Sequence, residues 1–286
     1  MRLRAHAVCK RMTRQSPERD MKRKKRSESR RLVVALPPAA VPQPAIDSAA
    51  QLARLLGASL FGLFIEDPDL FAAANLPFLR ELDARMRAWR PLSPASLMED
   101  YEAIAQALRR QLLQSAAVSG VSIEFAVFRG DPRALAASGA APTDLLALFE
   151  PITNWASHRG SAAAGMVFVP RTARPQSGPV VVIARTSADP EVALASEIAE
   201  DANLGLELVD AAQEHSSAFW LQRGRPSGSR LALPPSLATS EGYFRQLGLP
   251  PASLVIITRA TLERLEQPLG SIAAGRSEPW LVLEER

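Results

Sequence analysis

The sequence predicts an α/β fold made of two tandem units, each a mostly parallel five-stranded sheet with helices on both faces. Three observations predict it. Short apolar runs of strand length alternate with stretches of helical periodicity. The joints between them are short, which calls for parallel crossovers rather than hairpins. The whole alternation then occurs a second time after a polar joint that carries Pro175.

The body opens at Arg31 with Leu-Val-Val-Ala-Leu, a buried-strand run stopped by Pro37 and Pro38. Residues 45–56 place Ile46, Ala49, Ala53 and Leu56 at helical spacing, and Gly57 ends the helix. Residues 59–65 form a second strand, completing a βαβ unit. Residues 67–97 break the rhythm with Pro68, Pro77, Pro91 and Pro94, and read as an insertion with one helix near 77–89. Residues 97–118 follow as a long amphipathic helix with Tyr101, Ile104, Ala105, Leu108 and Leu112 on one stripe. Strands are expected at 121–128, 144–149 and 165–170, with helices at 131–138 and 152–163. In the second unit the expected strands are 178–184, 204–211, 230–233, 253–258 and 279–284. The expected helices are 189–201, 216–223, 237–247 and 261–274, the first capped by Asp189 with Pro190 at its first position. The resulting organisation is a tail at 1–30, a first unit at 31–171, a linker at 172–177 and a second, shorter unit at 178–286.

Charge separates the tail from the body. The 286 residues carry a formal net charge of +4, with 34 Lys or Arg and 30 Asp or Glu. Residues 1–31 hold 13 of the basic and 3 of the acidic residues, and all four lysines (Lys10, Lys22, Lys24, Lys25) lie there. The body is therefore mildly acidic. The cluster from Lys22 to Arg26 could serve a nucleic-acid arm, but such runs more commonly form a solvated extension, so nucleic acid is not an expected partner. No apolar h-region follows the charges, which argues against a secretory signal, and Met21 is a second candidate start. No apolar run has the roughly 18–20 residues of a membrane span. Cys9 is the only cysteine, so an internal disulfide is excluded, and a cytoplasmic location is expected.

The ordered pieces resemble the universal stress protein family in its tandem form. Ile46-Asp-Ser-Ala-Ala-Gln-Leu-Ala-Arg-Leu-Leu-Gly-Ala-Ser-Leu is similar to that family's first helix, and Leu60-Phe-Gly-Leu-Phe-Ile-Glu to its second strand. Pro179-Val-Val-Val-Ile and the helix from Pro190 open the second unit in the same way. Ser253-Leu-Val-Ile-Ile resembles the fourth strand, and Gly270-Ser-Ile-Ala with Glu278-Pro-Trp-Leu-Val-Leu resembles the ending. The resemblance implies two flavodoxin-like sheets of order 3-2-1-4-5, with ligands at the carboxyl ends of the strands where the order reverses. It also implies that the two fifth strands, around Phe168 and Trp280, pair antiparallel within one chain.

In ATP-binding members an acid ends the first strand, and a glycine loop after the fourth strand holds the phosphates. This sequence departs from both. Its first strand ends in Pro37 and Pro38, and the second unit's first strand ends in Ala184-Arg185-Thr186. Glu150-Pro-Ile-Thr-Asn-Trp and Thr258-Arg-Ala-Thr-Leu-Glu-Arg lack the glycine pair. Gly160-Ser161 and Gly270-Ser271 remain. Gly270, Ser271 and Arg259 are the candidate phosphate or anion site, against the plainer reading of a helix cap.

No other chemistry-bearing set stands out. His6, His158 and His215 have no metal-ligand spacing. Glu66-Asp-Pro-Asp69 could bind a cation through oxygens, though a capped turn is its commoner meaning. No nucleophile elbow, P-loop or pyrophosphatase-like glycine loop occurs, and no catalytic residue is expected. The four tryptophans read as core or interface anchors. The expected function is a non-enzymatic stress-response or regulatory protein without a cofactor, acting on an unidentified protein partner or small ligand. An ATP-binding stress protein with a diverged phosphate loop is the alternative.

Overall fold

A computed structural model of the chain describes residues 30–38, 41–83, 86–130, 143–149, 163–174, 177–186, 188–210, 217–218, 231–232, 252–264 and 276–284. The apolar runs become strands, most of them buried on both faces, as suits a parallel sheet. They are β1 (Arg31–Leu36), β2 (Ser59–Glu66), β5 (Ile123–Arg129), β6 (Leu145–Leu148), β7 (Gly165–Phe168), β8 (Val180–Ala184), β9 (Leu206–Asp210), β12 (Leu254–Thr258) and β13 (Trp280–Leu283). These nine form one sheet in the order β5-β2-β1-β6-β7-β13-β12-β8-β9. The first five lie in the third-second-first-fourth-fifth order that the resemblance implies. Every neighbouring pair is parallel except β7 with β13, which is antiparallel and puts Phe168 opposite Trp280, Val167 opposite Leu281 and Met166 opposite Val282.

The sheet differs from the expected pair of five-stranded sheets. The join across β7 and β13 is the antiparallel pairing that the resemblance implies, and the difference lies in the second unit, which contributes four described strands to the sheet. The run expected as that unit's third strand is β11 (Leu231–Ala232), which pairs instead with β10 (Ser217–Ala218) in a separate ribbon. Residues 217–218 therefore do not lie in the helix expected at 216–223. Periodicity over so short an apolar run does not distinguish strand from helix.

Alternation along each strand divides the core in two. Leu32, Val34 and Leu36 join Val180, Val182, Leu254 and Ile256 on one face. Helices α1 (Gln43–Leu55), α3 (Pro94–Ser119) and α4 (Pro190–Ala202) cover that face. Val33, Val181, Ile183, Val255, Trp280 and Val282 lie on the other, with Leu262 of the short helix α5 (Arg259–Arg264) packed among them. Helix α3 starts from a Ser93–Ser96 capping box with Pro94 behind it and stops at Gly120 in the left-handed region. It buries Leu97, Tyr101, Ala105, Leu108 and Leu112. A Cβ on Gly62 would lie 2.7 Å from a Leu112 methyl, so glycine lets α3 sit close on β2. Gln43, Asp47 and Ser115 tie α1 to α3, with the Ser115 hydroxyl donating to Asp47 at 2.6 Å.

The insertion corrects a second expectation. No helix spans 77–89 in the described residues of that stretch. Helix α2 (Pro68–Ala74) comes earlier, and β3 (Arg80–Asp83) and β4 (Ala88–Pro91) form an antiparallel hairpin. The reasons are local. The Met86 amide donates to the Asp83 carboxylate, and Arg87 adopts a positive φ of 51°, which a continuous helix does not contain.

Strand β9 is the outermost described strand on its side. Its Glu207 carries a shielded carboxylate oxygen, Oε2, without a hydrogen-bond partner, and burial raises its pKa. An inward charge on an outer strand discourages pairing with another chain, at a cost to stability. A raised folded pKa gives stability that is full below the unfolded pKa and lost as pH rises through the folded one. Glu207→Gln should therefore raise the melting temperature by roughly a few degrees at pH 8 and by much less near pH 4. An equal effect at both pH values in thermal melts would show that the ionised carboxylate is not the burden.

Candidate functional site

The carboxyl edge of a parallel sheet is where the fold places ligands. In the first unit β1 ends at fully buried Leu36, followed by Pro37. Glu66 ends β2 and is held by Arg129, the last residue of β5, at 2.8 Å. The Arg129 guanidinium also lies 4.1 Å over the Phe71 ring of α2. Tyr101 of α3 packs edge-on against Phe64 and Phe71 at ring distances of 5.8 and 5.3 Å. Burial, with the charge of Asp67 nearby, pushes the Tyr101 phenol up, and its hydroxyl is shielded from water. The acids of the Glu66–Asp69 run thus have structural duties: Asp67 caps α2 by accepting from the Asp69 and Leu70 amides. Among the described residues no group of three His, Cys, Asp or Glu is placed to hold a metal ion.

In the second unit the corresponding edge is also internally paired. Where an anion-binding loop would follow β8, the Asp189 carboxylate accepts from the Arg185 and Thr186 amides at 2.9 and 3.0 Å and from the Thr186 hydroxyl at 2.6 Å. Chiefly through the Thr186 hydroxyl bond, this holds its pKa below the usual carboxylate range. The expected cap role of Asp189 takes this form: its carboxylate closes the preceding loop and makes no side-chain cap bond within α4. Strand β12 passes directly into α5, with the Thr258 and Thr261 hydroxyls 2.9 Å apart across the first turn. Arg259 is buried, and its guanidinium is held by Glu284 just beyond β13, with Nε at 2.7 Å from Oε2 and a second contact through Nη2. Of the three anion-site residues expected from the sequence, the structure places Arg259 in this ion pair. Gly270 and Ser271 lie outside the described residues, as do Gly160, Ser161, His6, His158, His215 and Cys9.

The opposite edge holds a feature that pattern reading missed. A cleft of about 310 Å³ opens between the ends of α1 and α4, lined by Ser48, Gln51, Arg54, Asp201, Asn203 and Ser253 among others. Its lining residues come from five separate stretches of the chain, so no local motif marks it. No helix among the described residues is long and apolar enough to cross a membrane.

No protein-family model and no curated protein matches the sequence. Sixteen chains of known structure match the fold. One of them, a universal stress protein from Archaeoglobus fulgidus DSM 4304, aligns over 88% of this chain and 96% of its own, with a TM-score of 0.50 and 10% sequence identity. At that identity the likeness is one of fold: the chain is similar in its α/β architecture to a universal stress protein.

Proposed function

We propose that the protein is a non-enzymatic stress-response or regulatory protein built from two stress-protein-like repeats that share one sheet, with nucleotide loops too degenerate to use ATP. It acts in the cytoplasm through a protein surface or a pocket for a small ligand. The observation that carries this reading is the internal pairing of the carboxyl edge. Arg259 is bound to Glu284, Glu66 to Arg129, and the amides after β8 to Asp189. A phosphate would have to displace the Asp189 carboxylate or separate a shielded ion pair to reach the same donors. The direct passage of β12 into α5 supports the same conclusion.

Isothermal calorimetry with ATP and magnesium tests it. The expected result is no binding tighter than about 1 mM, an affinity worth only about 4 kcal/mol. Micromolar binding that Gly270→Val abolishes would instead establish an ATP-binding protein with a diverged loop.

A further inference from the structure

The cleft at the amino edge of the sheet follows from the crossover topology. A helix that joins two parallel strands runs back toward the strand starts, so α1 and α4 both end at this edge. There the end of α1 from the first unit and the end of α4 from the second form opposite parts of one lining. Ser177, Ser253 and Pro279, which lead into β8, β12 and β13, complete it.

Two features set this cleft apart from an ordinary surface groove. The first is Ser48. It is only 3% exposed and lines the cleft. Among the described residues its hydroxyl has no hydrogen-bond partner, whereas the Ser115 hydroxyl of α3 has two. A buried hydroxyl left unpaired is costly, and a polar ligand atom in the cleft would meet that need.

The second feature is charge. A helix C-terminus carries partial negative charge, which cations in its last turn ordinarily offset. Helix α1 follows this rule with Arg54. Helix α4 breaks it: its last turn has no basic residue and reads Glu200-Asp201-Ala202, and Asn203 caps it at a φ of 55°. Arg54 and Asp201 are both exposed and both line the cleft. Among the described residues Arg54 has no ion pair and no side-chain hydrogen bond. The cleft therefore has a cation on the α1 side. On the α4 side a carboxylate is added to a negative helix end. A local rule broken beside a cleft, with no offsetting cation in the same turn, is what a binding site leaves behind. The volume of about 310 Å³ equals the liquid share of about ten waters, room for a molecule of free-amino-acid size. Leu52, Leu55 and Leu204 add apolar surface for a short side chain.

We infer that this cleft binds a small zwitterion of the free amino acid class. Its ammonium group lies at Asp201 and the end of α4, its carboxylate lies at Arg54, and the Ser48 hydroxyl supplies a further polar contact. The inference rests on the small-ligand form of the function proposed above. It is independent of ATP, because the cleft lies at the other edge of the sheet.

Thermal melts of the full chain with each of the standard free amino acids test it, followed by calorimetry on those that stabilise. At about 1 mM at least one should raise the melting temperature by roughly a few degrees, as a ligand near a hundred times its Kd does. Arg54→Gln and Asp201→Asn should each weaken that binding by about tenfold or more. Without ligand, Arg54→Gln should melt within about a degree or two of the wild type, because the side chain is exposed. Asp201→Asn should melt there or slightly higher, since it takes an acid from a helix C-terminus. Replacing the ligand's carboxylate with an amide should weaken binding to the wild type by about tenfold and change little in Arg54→Gln. No stabilisation by any free amino acid would overturn the inference. So would binding indifferent to both substitutions. Either outcome leaves the reading of a protein that does not use ATP to be judged by the ATP calorimetry alone.

Discussion

Trp280→Asp should unfold the molecule or part its two halves. Trp280 is fully buried and lies opposite Phe168 in the one antiparallel pair of the nine-stranded sheet. Truncating a buried tryptophan costs about 3–5 kcal/mol through lost burial and the cavity left behind. An aspartate adds the expense of a charge with no partner in an apolar core. Together these approach the whole stability of an ordinary domain, about 5–15 kcal/mol. The neighbouring geometry leaves little room to adapt. A Cβ on Gly165, at the other end of the same seam, would already lie 2.8 Å from the Val282 carbonyl oxygen. In urea melts, Trp280→Asp should lose most of the cooperative transition, and its hydrodynamic radius should increase. Trp280→Phe, which keeps an apolar ring, should retain a cooperative fold. An unchanged melt and radius in the aspartate variant would mean that the halves are held together elsewhere.

Arg31→Met should lose about 3 kcal/mol, the next largest effect, because it takes a paired cation away from a buried carboxylate. Arg31 opens β1, and Asp144 immediately precedes β6, its parallel neighbour. Nε and Nη2 of Arg31 donate to the two Asp144 oxygens at 3.1 and 2.7 Å. Asp144 is 1% exposed, whereas the arginine side chain retains 39% exposure. The hydrogen bonds to Asp144 outweigh desolvation and raise the Arg31 pKa, and the guanidinium also lies 5.2 Å over the Phe61 ring. The cost therefore falls mainly on the buried acid. Adding Asp144→Leu to Arg31→Met should recover part of the loss, since removing both partners is cheaper than removing one. A double-mutant cycle in chemical denaturation measures the coupling. Strict additivity would show that the two groups do not stabilise each other.

Much of the sheet is legible because its strands are short, apolar on both sides and bounded by proline or glycine. Val180–Ala184 and Leu254–Thr258 are examples, and α3 is bounded by Ser93 and Gly120. The pairing of β7 with β13 also follows from two apolar strands that would otherwise leave unpaired edges. The hairpin was hidden because its fold depends on the Asp83–Met86 bond and the positive φ of Arg87, neither of which alters hydrophobic spacing. The carboxyl edge was hidden for another reason. Nothing near Arg259 in the chain announces Glu284, and nothing near Glu66 announces Arg129, because these partners meet only when separate strands align. A residue set read as free to bind an anion was therefore missing its counter-ion from view.

The antiparallel joint between β7 and β13 also sets an order of events. The other strands of the first unit all precede β7, whereas its partner on the far side is the last of the nine to be synthesised. A nascent chain thus carries Gly165–Phe168 as an open edge until β13 is available, and closing so long a loop is slow. During that interval the edge is open to the β13 of another molecule. The same residue pairs that close one chain can then link two by strand exchange. Refolding at high protein concentration should accordingly trap intertwined dimers that dilution does not quickly separate, whereas refolding at low concentration favours the self-closed chain.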